Sequence, residues 1–426
     1  METAIPKPPW EGTEKQWQPR LSGVGWTAAG ASAGPLATFS SWKEEPSAPL
    51  LEAKEKVAAL DKQKCWELLK KMVNPYEMIF THEDPHFHPS LSLMKPLSRS
   101  YFKMIEMLDV LDFFPRVAKT VPNVRTGHIA EGPGGFIQAT LDVAERYNKR
   151  VKQATAMTLR PTDSYIPGWR RAASFLHNHK EVKLHYGADD TGNIYNPHNQ
   201  DSFIEATSPG VHLFTADGGF DFSSDYAMQE QSVFRLLACS AYVGLRCLVA
   251  DGALVIKIFD SFSESTEILL ACMARCFKEW MIYKPAMSRP CNSERYFLGR
   301  GFVGLNPQIR QLLEQMCGAA ATEMFPVGLA FLKSGGGDFF RAYLHEQQAT
   351  SVGHQLHSLS RSLYFANHIG DWYTKQLPID FQTSLQWCNR FKIPTSLKAA
   401  AAVTPPATWS CRCPAGDTST QGAVPQ

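Results

Sequence analysis

The sequence has no apolar run long enough to cross a membrane. None of its hydrophobic stretches approaches the roughly 18 consecutive apolar residues of a membrane-spanning helix. The N-terminal region is acidic and rich in proline, and it contains no apolar core of a secretory signal peptide. These absences predict an intracellular protein without a membrane partner.

The sequence also lacks a strong net charge and a metal-binding cysteine motif. Its 43 lysines and arginines nearly balance its 41 aspartates and glutamates, for a formal net charge of +2. A nucleic-acid-binding surface must therefore be local. The 10 cysteines include no C-x-x-C pair that histidines could complete into a structural zinc site. We expect no metal, and cysteines that are buried reduced thiols.

With 426 residues, the chain exceeds one small domain. Changes in composition and periodicity divide it into a central domain with strands and helices in alternation, two helical extensions, and two termini rich in small residues and proline. The predicted segments are a disordered leader (1–48), a helical N-terminal extension (49–94), the central domain (95–303), a mostly helical C-terminal extension (304–394) and a disordered tail (395–426).

Strand-like and helix-like segments alternate through the central domain. The predicted strands are Gly127–Ala130, Lys152–Leu159, Val182–Tyr186, Val211–Ala216, Ala253–Phe259, Met281–Lys284 and Arg295–Gly299. This order predicts an α/β fold with a mostly parallel seven-stranded sheet and helices on both faces. The last two strands follow each other closely and are compatible with an antiparallel pair at an edge.

A glycine-rich turn follows the first of these strands and begins a helix. It reads Glu131-Gly132-Pro133-Gly134-Gly135-Phe136, at the carboxyl end of a strand, where open α/β sheets bind ligands. A dinucleotide turn requires a further glycine at position 137, which is isoleucine, and a carboxylate after the next strand, which is absent. A nicotinamide site is therefore disfavoured, whereas a tight turn without a ligand stays open.

Four charged residues stand beside or within the predicted strands. Lys257 lies in the apolar run Leu254–Phe259, and a buried lysine requires partners. Lys103 precedes the first strand, Asp217 ends the fourth and Glu294 begins the last. If the four converge, the second lysine is expected to lower the pKa of Lys257, so that a neutral amine takes a proton from a hydroxyl. The alternative is a strand-end lysine that reaches solvent.

These motifs resemble those of a known family. The glycine turn is similar to the E-x-P-G-G-[FW] form found in Rossmann-type methyltransferases. Lys103, Asp217, Lys257 and Glu294 follow the order and contexts of the K-D-K-E tetrad of FtsJ-type ribose 2′-O-methyltransferases. The surrounding words, Ala216–Phe220, Lys257–Asp260 and Ser288–Tyr296, resemble those of the mRNA cap 2′-O-methyltransferases of eukaryotes and large DNA viruses.

The resemblance implies a Rossmann-like methyltransferase that binds S-adenosylmethionine and methylates capped mRNA on the first transcribed nucleotide. Lys257 would activate the ribose 2′-hydroxyl, and Lys103, Asp217 and Glu294 would orient it. Independently of the resemblance, arginines surround the last motif and suit phosphate contacts, and we predict that Arg289 contacts the RNA. The implied cofactor-binding residues are Glu131, Gly132, Pro133, Gly134, Gly135, Phe136, Asp189 and Asp217, with Asp190 as the alternative to Asp189.

Further expectations follow from the same resemblance. The partners would be capped RNA and the capping or transcription machinery, in the nucleus or the cytoplasm, or in a viral factory if the chain is viral. Two alternatives stay open: a 2′-O-methyltransferase of rRNA or tRNA, and a non-catalytic RNA-binding subunit with the same fold. The intact set of four charged residues favours an enzyme.

Overall fold

One eight-stranded sheet forms the centre of the computed structural model, which describes residues 8–21, 48–62, 65–81, 90–161, 168–219, 229–318, 328, 330, 332 and 335–396. The strands are β1 (Gln18–Pro19), β2 (Asn123–Ile129), β3 (Arg150–Met157), β4 (Val182–His185), β5 (Val211–Ala216), β6 (Leu248–Ile258), β7 (Phe277–Tyr283) and β8 (Arg295–Phe302). Their spatial order is β1-β7-β8-β6-β5-β2-β3-β4.

The sheet is mostly parallel, as predicted. The neighbours from β6 through β5, β2 and β3 to β4 are parallel, whereas β1, β7, β8 and β6 pair in an antiparallel manner. All seven predicted strands form, and β8 lies between β6 and β7. The α/β prediction is therefore confirmed, with one strand more than expected.

The extra strand, β1, comes from the predicted disordered leader, so that prediction does not describe residues 8–21. Gln18 pairs with Trp280 of β7, whose Nε1 donates a hydrogen bond to the carbonyl of Pro19 at 3.0 Å. The ring of Trp17 lies 3.9 Å from the guanidinium carbon of Arg300. Aromatic contacts therefore hold these residues on the sheet. Residues 1–7 and 22–47 of the leader, and 397–426 of the tail, lie outside the described residues.

Helices cover both faces of the sheet. They are α1 (Ala48–Lys62), α2 (Trp66–Met72), α3 (Ser100–Val110), α4 (Gly135–Arg146), α5 (Ala173–Asn178), α6 (Pro197–Ala206), α7 (Gln229–Cys247), α8 (Glu264–Ala274), α9 (Pro307–Gly318), α10 (Gly335–Asn367), α11 (Ile369–Asp371) and α12 (Leu377–Arg390). Helices α6 to α9 share one core with the sheet, and α3 and α4 share the other. Within the described ranges, no helix has the length and apolar character to cross a membrane.

The two helical extensions pack against each other and share a third core. Leu69 and Met72 of α2 are buried in the same cluster as Leu359 of α10 and Trp372. The indole Nε1 of Trp372 donates to the carbonyl of Met72 at 2.9 Å. Segments at opposite ends of the chain therefore form one helical unit beside the sheet. Cys65, at the start of α2, is disulfide-bonded, which corrects the expectation of reduced thiols at that position.

Glu106 connects this helical unit to α3, the helix that carries Lys103. Its Oε2 accepts a hydrogen bond from Nε1 of Trp387 on α12 at 2.6 Å. Its Oε1 accepts from the hydroxyl of Tyr283 at 2.5 Å and from the amide of Ala286 at 3.0 Å. Because the carboxyl is completely buried, its pKa is raised to about 7.

We expect Glu106→Gln to change how stability depends on pH. Between the ordinary pKa of 4.5 and about 7, the unfolded chain releases a proton that the folded chain keeps. This carboxyl therefore lowers stability by about 3 kcal/mol as pH rises through that window. The variant loses one accepted hydrogen bond, and should be less stable than the wild type at pH 5 and should close that gap by pH 8.

Melting temperatures between pH 5 and pH 8 test this expectation. The control is Glu145→Gln, which replaces an exposed glutamate of α4 and should follow the wild-type curve. Parallel curves for the wild type and Glu106→Gln would show that Glu106 does not titrate in this range.

Candidate active site

Four neighbouring strands bring charged side chains to one edge of the sheet. In the order β2-β5-β6, these strands are parallel, and Ile129, Ala216 and Ile256 lie in register across them. Glu131 and Asp217 therefore emerge side by side just beyond the ends of β2 and β5. Strand β8 runs in the opposite direction, so its beginning, with Glu294, lies at the same edge. This is the edge at which α/β sheets bind ligands.

The alternation of strand side chains determines which face Lys257 occupies. Ala253 and Val255 of β6 belong to the core shared with α3, whereas Leu254 and Ile256 belong to the opposite core. Lys257 continues the first series by period two. It therefore lies on the face that is covered by α3, the helix carrying Lys103.

The four side chains of the predicted tetrad lie together. Nζ of Lys257 is 2.9 Å from Oδ1 of Asp217 and 3.8 Å from Oε2 of Glu294. The other oxygen of Glu294, Oε1, is 2.6 Å from Nζ of Lys103. Each side chain is between 11% and 13% exposed. The cluster is therefore nearly buried and still reachable by a substrate.

The electrostatics of this cluster correct one sequence prediction. Burial alone would lower the pKa of Lys257, but the carboxylates of Asp217 and Glu294 raise it above its ordinary value. Burial alone would raise the pKa of Glu294, but Lys103 and Lys257 lower it strongly. The prediction that the second lysine leaves Lys257 neutral is therefore wrong for this state, because two carboxylates face the amine and keep it protonated.

Tyr296 is a fifth member of the cluster that the sequence analysis did not single out. It pairs with Lys257 in the register of β6 and β8, and is completely buried. Its hydroxyl donates to Oδ1 of Asp217 at 2.7 Å and accepts from Nζ of Lys103 at 3.5 Å. Tyr296 therefore links Lys103 to Asp217. The available signal was period two, because Tyr296 lies two residues after Glu294.

We expect Tyr296→Phe to lower the turnover number by about tenfold, since a hydrogen bond to a charged group contributes more than 1 kcal/mol. Loss of the hydroxyl leaves Asp217 free to rotate relative to Lys257. Steady-state kinetics of the methyl transfer that the resemblance implies measure the effect. The matched control is Tyr364→Phe, which removes a hydroxyl that donates to Asp371 in the helical unit. Equal turnover in the two variants would exclude an orienting role for Tyr296.

The glycine turn lies beside this cluster. Gly134 has φ of 104°, a conformation that favours glycine. A Cβ on Gly135 would lie 2.3 Å from the hydroxyl oxygens of Ser98 and Ser100, so this glycine allows α3 to approach the turn. The turn therefore helps to place the helix that carries Lys103. Pro133 is in this turn as predicted.

Phe136, implied to bind the cofactor, has a side chain that packs in the core. Its side chain is completely buried, and its ring centroid lies 6.0 Å from that of Tyr296. Phe136 therefore packs beneath the cluster and is a core residue in this state. Phe136 and the other turn residues stay predictions as cofactor-binding residues.

Two buried polar atoms at the turn have no hydrogen-bond partner, among the residues that the structure describes. They are Nε1 of Trp169 and Oε2 of Glu131, the second of which lies 3.4 Å from Nδ1 of His128. The ring of Trp169 would lie 3.2 Å from a Cβ on Gly134, and Oε1 of Glu131 accepts from the hydroxyl of Thr215. Burial raises the pKa of Glu131. An acceptor and a donor therefore flank the glycine turn, an arrangement that fits a polar cofactor such as S-adenosylmethionine.

Part of the chain is similar to known methyltransferases. Residues 96–302 match the model of the FtsJ-like methyltransferase family. We call this matched stretch the FtsJ-like domain. A solved ribosomal RNA methyltransferase from Plasmodium falciparum is also similar, at 15% identity and a TM-score of 0.34, over 49% of this chain and 98% of that one.

Curated relatives of the chain carry the name cap-specific mRNA (nucleoside-2′-O-)-methyltransferase 1. The protein from Drosophila melanogaster is 34% identical over 172 residues, which are 39% of this chain and 21% of that protein. The region matched in the protein from Xenopus laevis is 30% identical and spans 54% of this chain and 27% of that protein. The protein from Trypanosoma brucei is 27% identical, with 54% and 62% covered. The chain thus spans only about a fifth to a quarter of the fly and frog proteins.

Asp189 of the FtsJ-like domain has both carboxylate oxygens engaged by its own loop. Oδ1 accepts from the amide of Thr191 at 3.0 Å and from Nδ2 of Asn199 at 2.8 Å, and Oδ2 accepts from Nδ2 of Asn196 at 2.8 Å. These bonds lower the pKa of Asp189. Asp190 instead pairs with Arg160. Asp189 therefore orders the loop after β4, and contact of either aspartate with a cofactor stays a prediction.

Arg289, predicted to contact RNA, lies in an ion pair with Glu77. Nη2 and Nε of Arg289 lie 2.8 Å and 3.1 Å from the two carboxylate oxygens of Glu77. The sequence analysis did not identify Glu77, because it precedes the FtsJ-like domain and belongs to none of the quoted motifs. The structure thus gives Arg289 an intramolecular partner and leaves its RNA contact as a prediction.

Proposed function

We propose that this chain is an S-adenosylmethionine-dependent mRNA cap 2′-O-methyltransferase that modifies the first transcribed nucleotide. The observation that carries the proposal is the convergence of Lys103, Asp217, Lys257 and Glu294 beside the glycine turn. Two amines and two carboxylates at a nearly buried, accessible edge are suited to orienting a hydroxyl and moving its proton.

The cofactor would lie over the glycine turn. When bound, S-adenosylmethionine supplies a methyl group on a positively charged sulfonium. The glycines let neighbouring segments pack against the turn, since a Cβ on Gly132 would lie 2.6 Å from the carbonyl oxygen of Gly168. Oε2 of Glu131 and Nε1 of Trp169 offer the cofactor an acceptor and a donor. Asp217 lies between this turn and Lys257 and would contact both the cofactor and the reacting hydroxyl.

Lys257 would take the proton of the ribose 2′-hydroxyl. Its pKa is raised because Asp217 and Glu294 face it, so any positive charge brought into the site lowers that pKa. Once Nζ has released one proton to solvent, it would accept the hydroxyl proton and leave the ribose oxygen as the nucleophile, to which the cofactor held at the glycine turn would supply the methyl group. Lys103 and Tyr296 hold Glu294 and Asp217 so that Nζ keeps its position.

The names of the relatives support capped mRNA as the substrate of this chain. Relatives from fly, frog and trypanosome are named for methylation of the mRNA cap. Capped RNA and the capping or transcription machinery are the proposed partners. A protein with this substrate would act in the nucleus or the cytoplasm, or in a viral factory if the chain is viral.

A methyl-transfer assay tests the proposal. The purified chain is incubated with labelled S-adenosylmethionine and with three RNAs: a capped transcript, the same transcript without a cap, and structured rRNA or tRNA. We expect label on the first nucleotide of the capped transcript. Equal labelling of the uncapped transcript would refute cap specificity, and selective labelling of rRNA or tRNA would identify the alternative acceptor.

A binding experiment separates enzyme from non-catalytic subunit. Labelled S-adenosylmethionine should bind and be displaced by its demethylated product but not by NAD. RNA binding without cofactor binding or transfer would support a non-catalytic subunit. Displacement by NAD would support a nicotinamide enzyme, which the replacement of the third glycine by Ile137 disfavours.

A further inference from the structure

Glu77 is a buried carboxylate outside the FtsJ-like domain that binds two arginines of that domain. It begins the turn Glu77–Ile79 and is 1% exposed. Its Oε1 accepts from Nη1 of Arg99 at 2.6 Å and from Nη2 of Arg289 at 2.8 Å. Its Oε2 accepts from Nε of Arg289 at 3.1 Å and from Nδ2 of Asn74 at 2.8 Å. Burial alone would raise the pKa of Glu77, but the two guanidinium groups lower it.

The two arginines belong to the two elements that carry the Lys103–Glu294 pair. Arg99 precedes α3 and lies one helical turn before Lys103. Arg289 lies in the loop between β7 and β8, which ends at Glu294. Nη2 of Arg99 also donates to the carbonyl of Met287 in this loop at 3.2 Å. Glu77, which lies outside the FtsJ-like domain, therefore connects α3 to this loop through its two ion pairs.

Lys284 makes this loop a single unit. Its Nζ donates to the hydroxyl of Ser288 at 3.1 Å, to Oδ1 of Asn292 at 3.0 Å and to the carbonyl of Glu294 at 2.9 Å. Burial lowers the pKa of Lys284 to about 7. Because one amine holds both ends of the loop, a displacement at Arg289 is transmitted to Glu294.

We propose that Glu77 is a positioning residue that sets the separation of Lys103 and Glu294. The inference rests on the proposed function, since it concerns the same cluster. Nζ of Lys103 lies 2.6 Å from Oε1 of Glu294. Without Glu77, two partly buried guanidinium groups repel each other across the junction of α3 and the loop. A small shift there moves the groups that orient Lys257, and a misplacement of about 1 Å costs up to about 100-fold in rate.

A different role for this cluster predicts different kinetics. If Arg289 contacts RNA, its loss raises the KM for RNA and leaves kcat unchanged. If the cluster positions the tetrad, disruption of the cluster lowers kcat and leaves the KM values for RNA and for S-adenosylmethionine unchanged. The split between kcat and KM therefore distinguishes the two roles.

The test compares Glu77→Gln, Glu77→Asp and the double variant Glu77→Gln/Arg289→Gln in the full chain with a capped transcript. The double variant has the same net charge in this cluster as the wild type. We expect Glu77→Gln to lower kcat roughly 10- to 100-fold. Its KM values for RNA and for S-adenosylmethionine should stay within about twofold of the wild-type values, and Glu77→Asp should recover part of the lost kcat. The double variant should regain the wild-type melting temperature while its kcat stays low. Glu52→Gln, at an exposed ion pair of α1, is the control and should match the wild type.

Three outcomes overturn the inference and leave the proposed function intact. Wild-type kcat in folded Glu77→Gln excludes a positioning role. Recovery of kcat together with stability in the double variant makes the cluster merely structural. A raised KM for RNA with unchanged kcat assigns the arginines to RNA binding. Absence of transfer by the wild type refutes the proposed function itself, and the inference with it.

Discussion

Replacing Lys257 with alanine should lower the rate of methyl transfer by about 10³-fold, the range that general-base catalysis contributes. Nζ of Lys257 lies at the centre of the cluster, 2.9 Å from Asp217 and 3.8 Å from Glu294, and no neighbouring amine occupies the same position among the described residues. Binding of S-adenosylmethionine should be largely retained, because the glycine turn is separate from this side chain. Single-turnover transfer and cofactor titration measure the two quantities.

The control for this variant is Lys278→Ala. Lys278 lies on β7, is 59% exposed and pairs with Asp251, so its loss removes a lysine from the same sheet without touching the cluster. It should retain wild-type transfer. Wild-type transfer by Lys257→Ala would refute the proposed base.

Lys257→Arg separates a base from a fixed positive charge. Arginine keeps the charge and is not deprotonated in proteins, so it cannot accept a proton from the ribose. We expect this variant to be as inactive as the alanine variant. Because the carboxylates raise the pKa of Lys257, the neutral fraction is small and wild-type kcat should increase with pH from about pH 7 to about pH 9. An active arginine variant, or a rate independent of pH, would indicate an electrostatic role.

Glu294→Gln should reduce both stability and activity. The substitution leaves Lys103 and Lys257 near each other with only Asp217 to compensate. Removal of one partner from a buried ion pair costs about 3–5 kcal/mol in free energy of unfolding, and the loss of orientation should lower kcat by about 100-fold. Urea unfolding and single-turnover kinetics measure the two effects.

A second substitution separates these effects. In Glu294→Gln/Lys103→Met, the unpaired lysine is also removed, so stability should recover while transfer stays low. Glu279→Gln is the control. Glu279 also forms ion pairs with arginines, but it lies near the beginning of β7 and outside the cluster. Recovery of transfer along with stability would mean that Glu294 has only a structural role.

The positions of the strands and the mostly parallel character of the sheet could be predicted from the sequence. Apolar runs such as that around Lys257 predicted each strand near its place, and the strand–helix alternation predicted a mostly parallel sheet. The same reasoning placed Asp217 and the glycine turn at the ligand-binding edge. These features follow from local periodicity and from the chirality of strand connections, which any single sequence records.

Other features came from contacts between distant segments. The leader adds β1 because Trp17 lies against Arg300 of β8 and Trp280 of β7 donates a hydrogen bond to Pro19, and no local pattern identifies such contacts. The two helical extensions share one core although they stand at opposite ends of the chain. The partner of Arg289 is likewise a residue 212 positions away.

The sequence alone determined the type of sheet, the edge at which the site lies, and the four residues that supply its charges. Those properties depend on period, residue type and chain order. Only the tertiary structure decided the sign of the pKa shift of Lys257, the hydrogen bonds of Tyr296 to Lys103 and Asp217, and the ion pairs of Glu77 with two arginines. Each of these depends on distances of a few ångströms between segments far apart in the chain, and electrostatic and hydrogen-bond energies vary steeply over such distances.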